Sequence, residues 1–218
     1  MDLPAATQPC GIATEVRPWM PSAAAPPAAA PEPAQPPAAQ ADYRHALKPS
    51  PAGWAHRPHW CVWVEPITDH GPTGIWQERW RGAVLAALAT WQRQLPITVV
   101  NDPDQAQVLV QRRRPPIQRN RASHGRALLQ LLEVRRGGPW QLEPRVEVLI
   151  SPGQAPQGIQ ATALHELGHA FGLWGHSDRA GDAMAAQPGA KPVLELSPRD
   201  RATLRWLQGQ PGLEPAQP

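Results

Sequence analysis

Hydrophobic positions along the chain change period several times, and each change marks an element. Trp60–Val64 (W-C-V-W-V) is a run of β-favouring residues closed by Pro66, a first strand. From Thr73 to Gln94 the period turns helical: Trp76, Trp80, Val84, Leu88 and Trp91 recur at three- or four-residue spacing. Pro72 and Gly74 mark the entry of that helix, and Pro96 bars its continuation. Ile97–Val100 and residues 106–111 follow as short strands. A helix between the first two strands predicts a β-α-β crossover with parallel pairing. Residues 127–134 and 145–150 read as two more strands. The turn signal Arg135-Arg136-Gly137-Gly138-Pro139 between them predicts an antiparallel pair. After Pro156 the pattern is helical through Phe171, and a last helix spans residues 197–207. Ser197-Pro198 opens it, an N-cap followed by proline at the first helical position.

Together these elements predict an α/β (α+β) fold. It has a twisted mixed sheet of about five strands, one long helix packed on it, a second helix beneath, and a small C-terminal subdomain. The 218 residues, 41% of them hydrophobic, suffice for one domain with a real core. Ten Trp against one Tyr and one Phe make tryptophan the main source of core bulk. The 29 prolines are concentrated in residues 21–41, a nearly pure Ala/Pro run that lacks the large apolar groups of a core. The expected division is therefore a disordered N-terminal segment at 1–53, a folded domain at 54–208, and a flexible tail at 209–218. A net charge of +3 permits an acidic partner without demanding one. No apolar run approaches the roughly 18 residues of a membrane span. The first residues lack a secretory signal, so the chain as printed reads as soluble, with no export address. Cys10 and Cys61 are too few for a disulfide scaffold; one disulfide and two free thiols both fit the sequence.

The chemistry is concentrated in residues 165–169, H-E-L-G-H. On a helix, His165 and His169 lie one turn apart on one face, so both imidazoles can reach one metal ion. Glu166 projects about 100° round the helix, where it can lean over the metal and hydrogen-bond a water there. Given the chain's His and Glu content, this pattern arises by chance in roughly one such sequence in a hundred. Nitrogen ligands in tetrahedral geometry suit zinc, and a catalytic zinc takes three protein ligands. The run continues A-F-G-L-W-G-H-S-D. Gly172 can end the helix in a left-handed turn and send the chain back under the metal. His176 is then the natural third ligand, with Asp178 the alternative.

At these residues the sequence resembles the metzincin zinc peptidases, and among them the matrixin-like proteins, in particular a bacterial, cyanobacterial-type branch with G-x-W-G-H-S. The clan pattern H-E-x-x-H-x-x-G-x-x-H is met except that three residues, not two, separate Gly172 from His176. Gly175 is placed to absorb the added residue. Met184, eight residues after His176, matches the Met-turn, an apolar floor under the metal. The L-S-P-R-D run at 196–200 matches the matrixin C-terminal helix. The resemblance spans about residues 58–208. It implies a metalloendopeptidase acting on protein or peptide substrates with one catalytic Zn²⁺ held by His165, His169 and His176, and with Glu166 as general base. Trp174 would help to shape the site, whereas Phe171 is expected to pack in the core. No residue set for a structural zinc or a structural calcium stands in the sequence. Matrixin propeptides carry a cysteine whose thiolate occupies the zinc, and Pro9-Cys10-Gly11 is a faint echo of that segment. Cys10 is therefore a candidate inhibitory thiolate. The family suggests a secreted or cell-envelope protein, against the soluble intracellular reading of the printed chain.

The remaining signals are weaker. His45, His56, His59, His70 and His124 read as surface groups. Eight arginines lie between 112 and 136: Arg112, Arg113, Arg114, Arg119, Arg121, Arg126, Arg135 and Arg136. They make an anionic-polymer binder an alternative, but with little aromatic interleaving no nucleic-acid partner is expected. A catalytically silent binding module on the same fold is the other alternative; the intact Glu166 argues against it. A substrate peptide is expected to bind extended along the strand at 127–134.

Overall fold

The computed structural model describes residues 10–21, 41–72, 74–117 and 122–213. Residues 22–40, most of the Ala/Pro run, lie outside them. Six strands form one mixed sheet: β1 (Glu15–Pro18), β2 (Trp60–Val64), β3 (Ile97–Val100), β4 (Val108–Gln111), β5 (Gly125–Arg135) and β6 (Gln141–Ile150). Their order across the sheet is β1-β5-β6-β4-β2-β3. The three helices are α1 (Gly74–Gln92), α2 (Pro156–Ala170) and α3 (Pro198–Gln208). The fold is α/β with a mixed sheet, as the hydrophobic pattern predicts. β2 pairs in parallel with β3 and β4, and β4 in parallel with β6. The β5–β6 pair is antiparallel.

Alternation along β2 sorts its side chains. Trp60, Val62 and Val64 join the main core, whereas Cys61 and Trp63 belong to a smaller cluster with Val100, Ala106 and Leu109. In the main core α1 contributes Trp80, Val84, Leu88 and Trp91, and α2 contributes Ile159, Leu164 and Leu167. Two indoles also meet buried acceptors: Trp80 Nε1 donates to Ile150 O (3.2 Å) and Trp91 Nε1 to Leu164 O (3.0 Å). Phe171 lies 5.5 Å from both Trp60 and Trp91, a core position as expected. Trp76, placed by spacing on the same face of α1, is instead 60% exposed, with the Arg79 guanidinium over its ring.

The expected boundary at residue 54 needs correction, because parts of the 1–53 segment belong to the fold. Residues Glu15–Pro18 add a sixth strand, pairing antiparallel with Leu132–Arg135 of β5. All four are exposed, so no hydrophobic alternation announces the strand; ladder bonds and ion pairs hold it. Tyr43 and Leu47 are buried in the main core. The tail at 209–218 is likewise tied down through its described part: Leu213 bridges Gly53, and Gln210 O contacts His56 Nε2 at 3.0 Å. β6 begins four residues earlier than predicted. Pro144 deters a strand assignment, yet it lies beyond the end of the β4 ladder, which starts at Val146, so its missing N–H costs no bond there.

Candidate metal centre

Helix α2 begins with Pro156 at its first position and buries Ile159, Ala163, Leu164 and Leu167 against the core. This fixes the rotation of the helix and turns His165, Glu166 and His169 towards β5. Gly168, between the two histidines, is required by close approach: a Cβ there would lie 2.2 Å from Met184 Sδ. Met184 is fully buried beneath this turn. The helix ends with Gly172 at φ +105°. Leu173 N–H donates to Gly168 O (3.0 Å) and Gly172 N–H to His169 O (2.9 Å), the paired bonds of a glycine C-cap.

The return loop brings His176 back. His169 Nε2 and His176 Nε2 stand 3.2 Å apart, and one nitrogen from each of His165, His169 and His176 lies within 4.8 Å of the others. Two ligands on a tetrahedral zinc with Zn–N bonds of 2.0–2.1 Å are about 3.3–3.4 Å apart, a separation that the His169–His176 pair matches. The other ring nitrogens are used to orient two of the rings. His165 Nδ1 pairs with Ala183 O and His169 Nδ1 with Leu173 O, each at 2.8 Å. A ring that donates from Nδ1 to a carbonyl offers the lone pair of Nε2. Burial pushes His165 down and His169 to about 3, and partial desolvation lowers the more exposed His176, which favours neutral rings able to ligate. Trp174 stacks on His169 at 5.5 Å.

The extra residue before His176 is accommodated by contact rather than by an unusual turn. Gly175 has ordinary negative φ, and a Cβ on it would lie 2.2 Å from Ala46 O. Lys48 N–H donates to Trp174 O (2.9 Å), so residues 46–48 line the outer side of the loop. Asp178, the alternative ligand, faces away and pairs with Arg199 at 2.8 Å.

Glu166 sits beside the three imidazoles with its carboxyl pushed up to about 7 by burial. The Ala127 N–H on β5 and the Arg126 charge pull the other way. Gly125 makes room for it, since a Cβ there would lie 2.6 Å from Glu166 Cγ. Along this side runs a cavity of about 740 Å³, lined by Lys48, Gly125, Ala127, Leu129, Glu166 and His176 among others. A second cavity, of about 620 Å³, opens beyond His165 and Glu166 between Thr162, Ala183 and Val193.

A buried acid missed by sequence reasoning holds the floor. The Asp200 carboxylate accepts Ala183 N–H (2.8 Å), Ser197 N–H (2.9 Å) and the Tyr43 hydroxyl (2.7 Å). Asp200 was visible only as part of the L-S-P-R-D run; the capping box with Ser197 was the local signal available. Beside it, buried Arg199 pairs with Asp182 at 2.7 Å.

Cys10 is not available as an inhibitory thiolate, because it forms a disulfide with Cys61. Both sulfurs lie at the small cluster between β2 and the N-terminal segment, away from the three imidazoles. Among the described residues, three of the eight arginines are ion-paired. Arg112 pairs with Glu65, Arg135 with Glu15 and Arg136 with Glu143; Arg119 and Arg121 lie outside the described residues. No protein-family model matches this chain, and no curated protein matches it.

Proposed function

We propose that this chain is a zinc metalloendopeptidase of the metzincin, matrixin-like kind. The observation that carries the reading is the convergence of three imidazole nitrogens beside a buried carboxyl, next to the stretch of β5 that β1 leaves uncovered. His165, His169 and His176 would hold the ion. Zinc bound there would acidify a water and polarise the scissile carbonyl. Glu166 would accept the water's proton and pass it to the leaving amine. A carboxyl with its affinity for protons raised towards neutrality suits both halves of that transfer. The substrate would lie extended along β5, with its carbonyl near the imidazoles and a neighbouring side chain in the 620 Å³ cavity. The Cys10–Cys61 disulfide supports an oxidising compartment, which favours a secreted or cell-envelope location. No helix among the described residues is long and apolar enough to cross a membrane.

The test joins metal analysis to cleavage of casein and a broad peptide library. The parent is expected to hold one zinc and cleave. Glu166→Ala is expected to keep the zinc and lose activity by at least about 10²- to 10⁴-fold. A parent that binds one zinc and cleaves nothing in the library would overturn the protease reading in favour of a binding module.

A further inference from the structure

Strand β1 sits on the same edge of β5 that the proposed substrate would use. Parity along β5 decides which backbone groups face that edge. Leu131 lies opposite Pro144, which has no N–H, so Leu131 does not form the reciprocal bond pair with β6. Instead Leu131 O accepts Trp19 N–H (3.0 Å) and Arg135 O accepts Thr14 N–H (2.8 Å) from the N-terminal segment. The odd-numbered residues of β5 therefore present their backbone groups outward, and Ala127 and Leu129 belong to that set. Ala127 N–H is committed to Glu166. Between the proposed catalytic position at Ala127 and the block at Leu131, no described residue pairs on this edge with Ala127 C=O or with either group of Leu129. Four residues at about 3.4 Å each make roughly 14 Å of free edge.

The geometry points to β1 as a built-in stop that limits how many substrate residues bind on one side of the scissile bond, about four. This rests on the peptidase reading and adds a boundary to it. The stop is fastened at several points. Cys10 is bonded to Cys61 on β2. Arg17 pairs with Glu133, Glu15 pairs with Arg135, and Arg136 Nε donates to Gly11 O (2.7 Å). Beyond Leu131 a substrate finds the ladder already filled and gains no further backbone bonds. On the other side of the scissile bond β1 imposes no such limit, because it covers only Leu132–Arg135 and the Leu131 carbonyl. The protein would act on any chain able to lay about four residues against the edge before bending away, such as one near a terminus or in a looped-out segment.

The test uses two series of quenched fluorescent peptides built on one cleaved sequence. One is lengthened residue by residue on the N-terminal side, the other on the C-terminal side. In the parent, kcat/KM is expected to rise by roughly two- to tenfold per added backbone bond. On one side only, the rise should stop at about four residues. Two full-length variants unfasten the stop: Cys10→Ser with Cys61→Ser, and Trp19→Pro, which removes the N–H that caps Leu131 O and leaves the disulfide intact. In a variant that keeps its zinc and its helical circular dichroism, the rise is expected to continue past four. A parent whose gains continue past four on both sides overturns the proposal. So does a folded variant with the same break as the parent. Failure to cleave even the shortest peptides, with zinc bound, instead overturns the peptidase reading.

Discussion

Asp200 makes no contact with the three imidazoles, yet the structure ties it to His165 through one intervening carbonyl. Its carboxylate fixes Ala183 N–H, and Ala183 O holds His165 Nδ1. Asp200→Ala would leave four buried donors, on Ala183, Ser197, Tyr43 and, at a longer 3.4 Å, Met184, without this acceptor. An unsatisfied buried donor costs about 1–3 kcal/mol. After partial relaxation the sum should be roughly 3–5 kcal/mol. At about 2–4 °C per kcal/mol for a chain of this size, the melting temperature should fall by roughly 6–20 °C. Loss of the carbonyl that orients a ligand should weaken zinc binding by about 10- to 100-fold. Asp200→Asn should be milder: Oδ2 can keep Ala183 and Ser197, and the amide can donate to the Tyr43 oxygen. Tyr43→Phe removes only the hydroxyl bond, so stability should drop by about 1–2 kcal/mol while zinc affinity holds. Thermal denaturation of the metal-free proteins and zinc competition with a chromophoric chelator measure both quantities. If Asp200→Ala lost stability but bound zinc like the parent, the positioning chain through Ala183 would be wrong.

Other consequences are simpler. Gly175→Ala sets a Cβ against the Ala46 carbonyl and should cost about 1–3 kcal/mol by pushing residues 46–48 off the return loop; urea denaturation reads this directly. Chelation should lower the melting temperature, since a ligand at a thousand times its Kd stabilises by about 4 kcal/mol. Glu166→Ala should show the same chelator-sensitive shift as the parent, because Glu166 is not among the three converging imidazoles. A shift that vanished in Glu166→Ala would make that carboxylate a ligand rather than a base.

The parts of this protein legible in sequence are those written in short-range spacing. Two histidines four apart, a helix-ending Gly172, and apolar runs of period two or near 3.6 each state a local geometry, and the structure realises it. What escaped is non-local. The partner of Cys10 is 51 residues away, and two cysteines alone do not distinguish a disulfide from free thiols. Strand β1 pairs with residues more than a hundred positions downstream through exposed side chains, so neither hydrophobicity nor alternation marks it. Tyr43 follows the Ala/Pro run, which invites a disordered assignment, and only its contact with Asp200 in α3 reveals it as core. Gly175 suggests a turn by its place in the sequence; the reason for it is another segment's carbonyl, which no local pattern encodes.

These non-local features bear on the site unequally. His165 and His169 ride on one buried helix, and each is oriented by a carbonyl from a well-anchored turn. His176 stands on a loop, is exposed, and among the described residues has its only hydrogen-bonding contact with His169 Nε2. What places that loop is the N-terminal segment, through the fit of Gly175 against Ala46 and the bond from Lys48 to Trp174. Two of the three proposed ligands therefore come with the helix, while the third depends on residues outside the domain boundary that the hydrophobic pattern suggests. A change at residues 46–48 should act on the metal centre chiefly through His176. It should reduce zinc affinity without disturbing the bonds that orient His165 and His169.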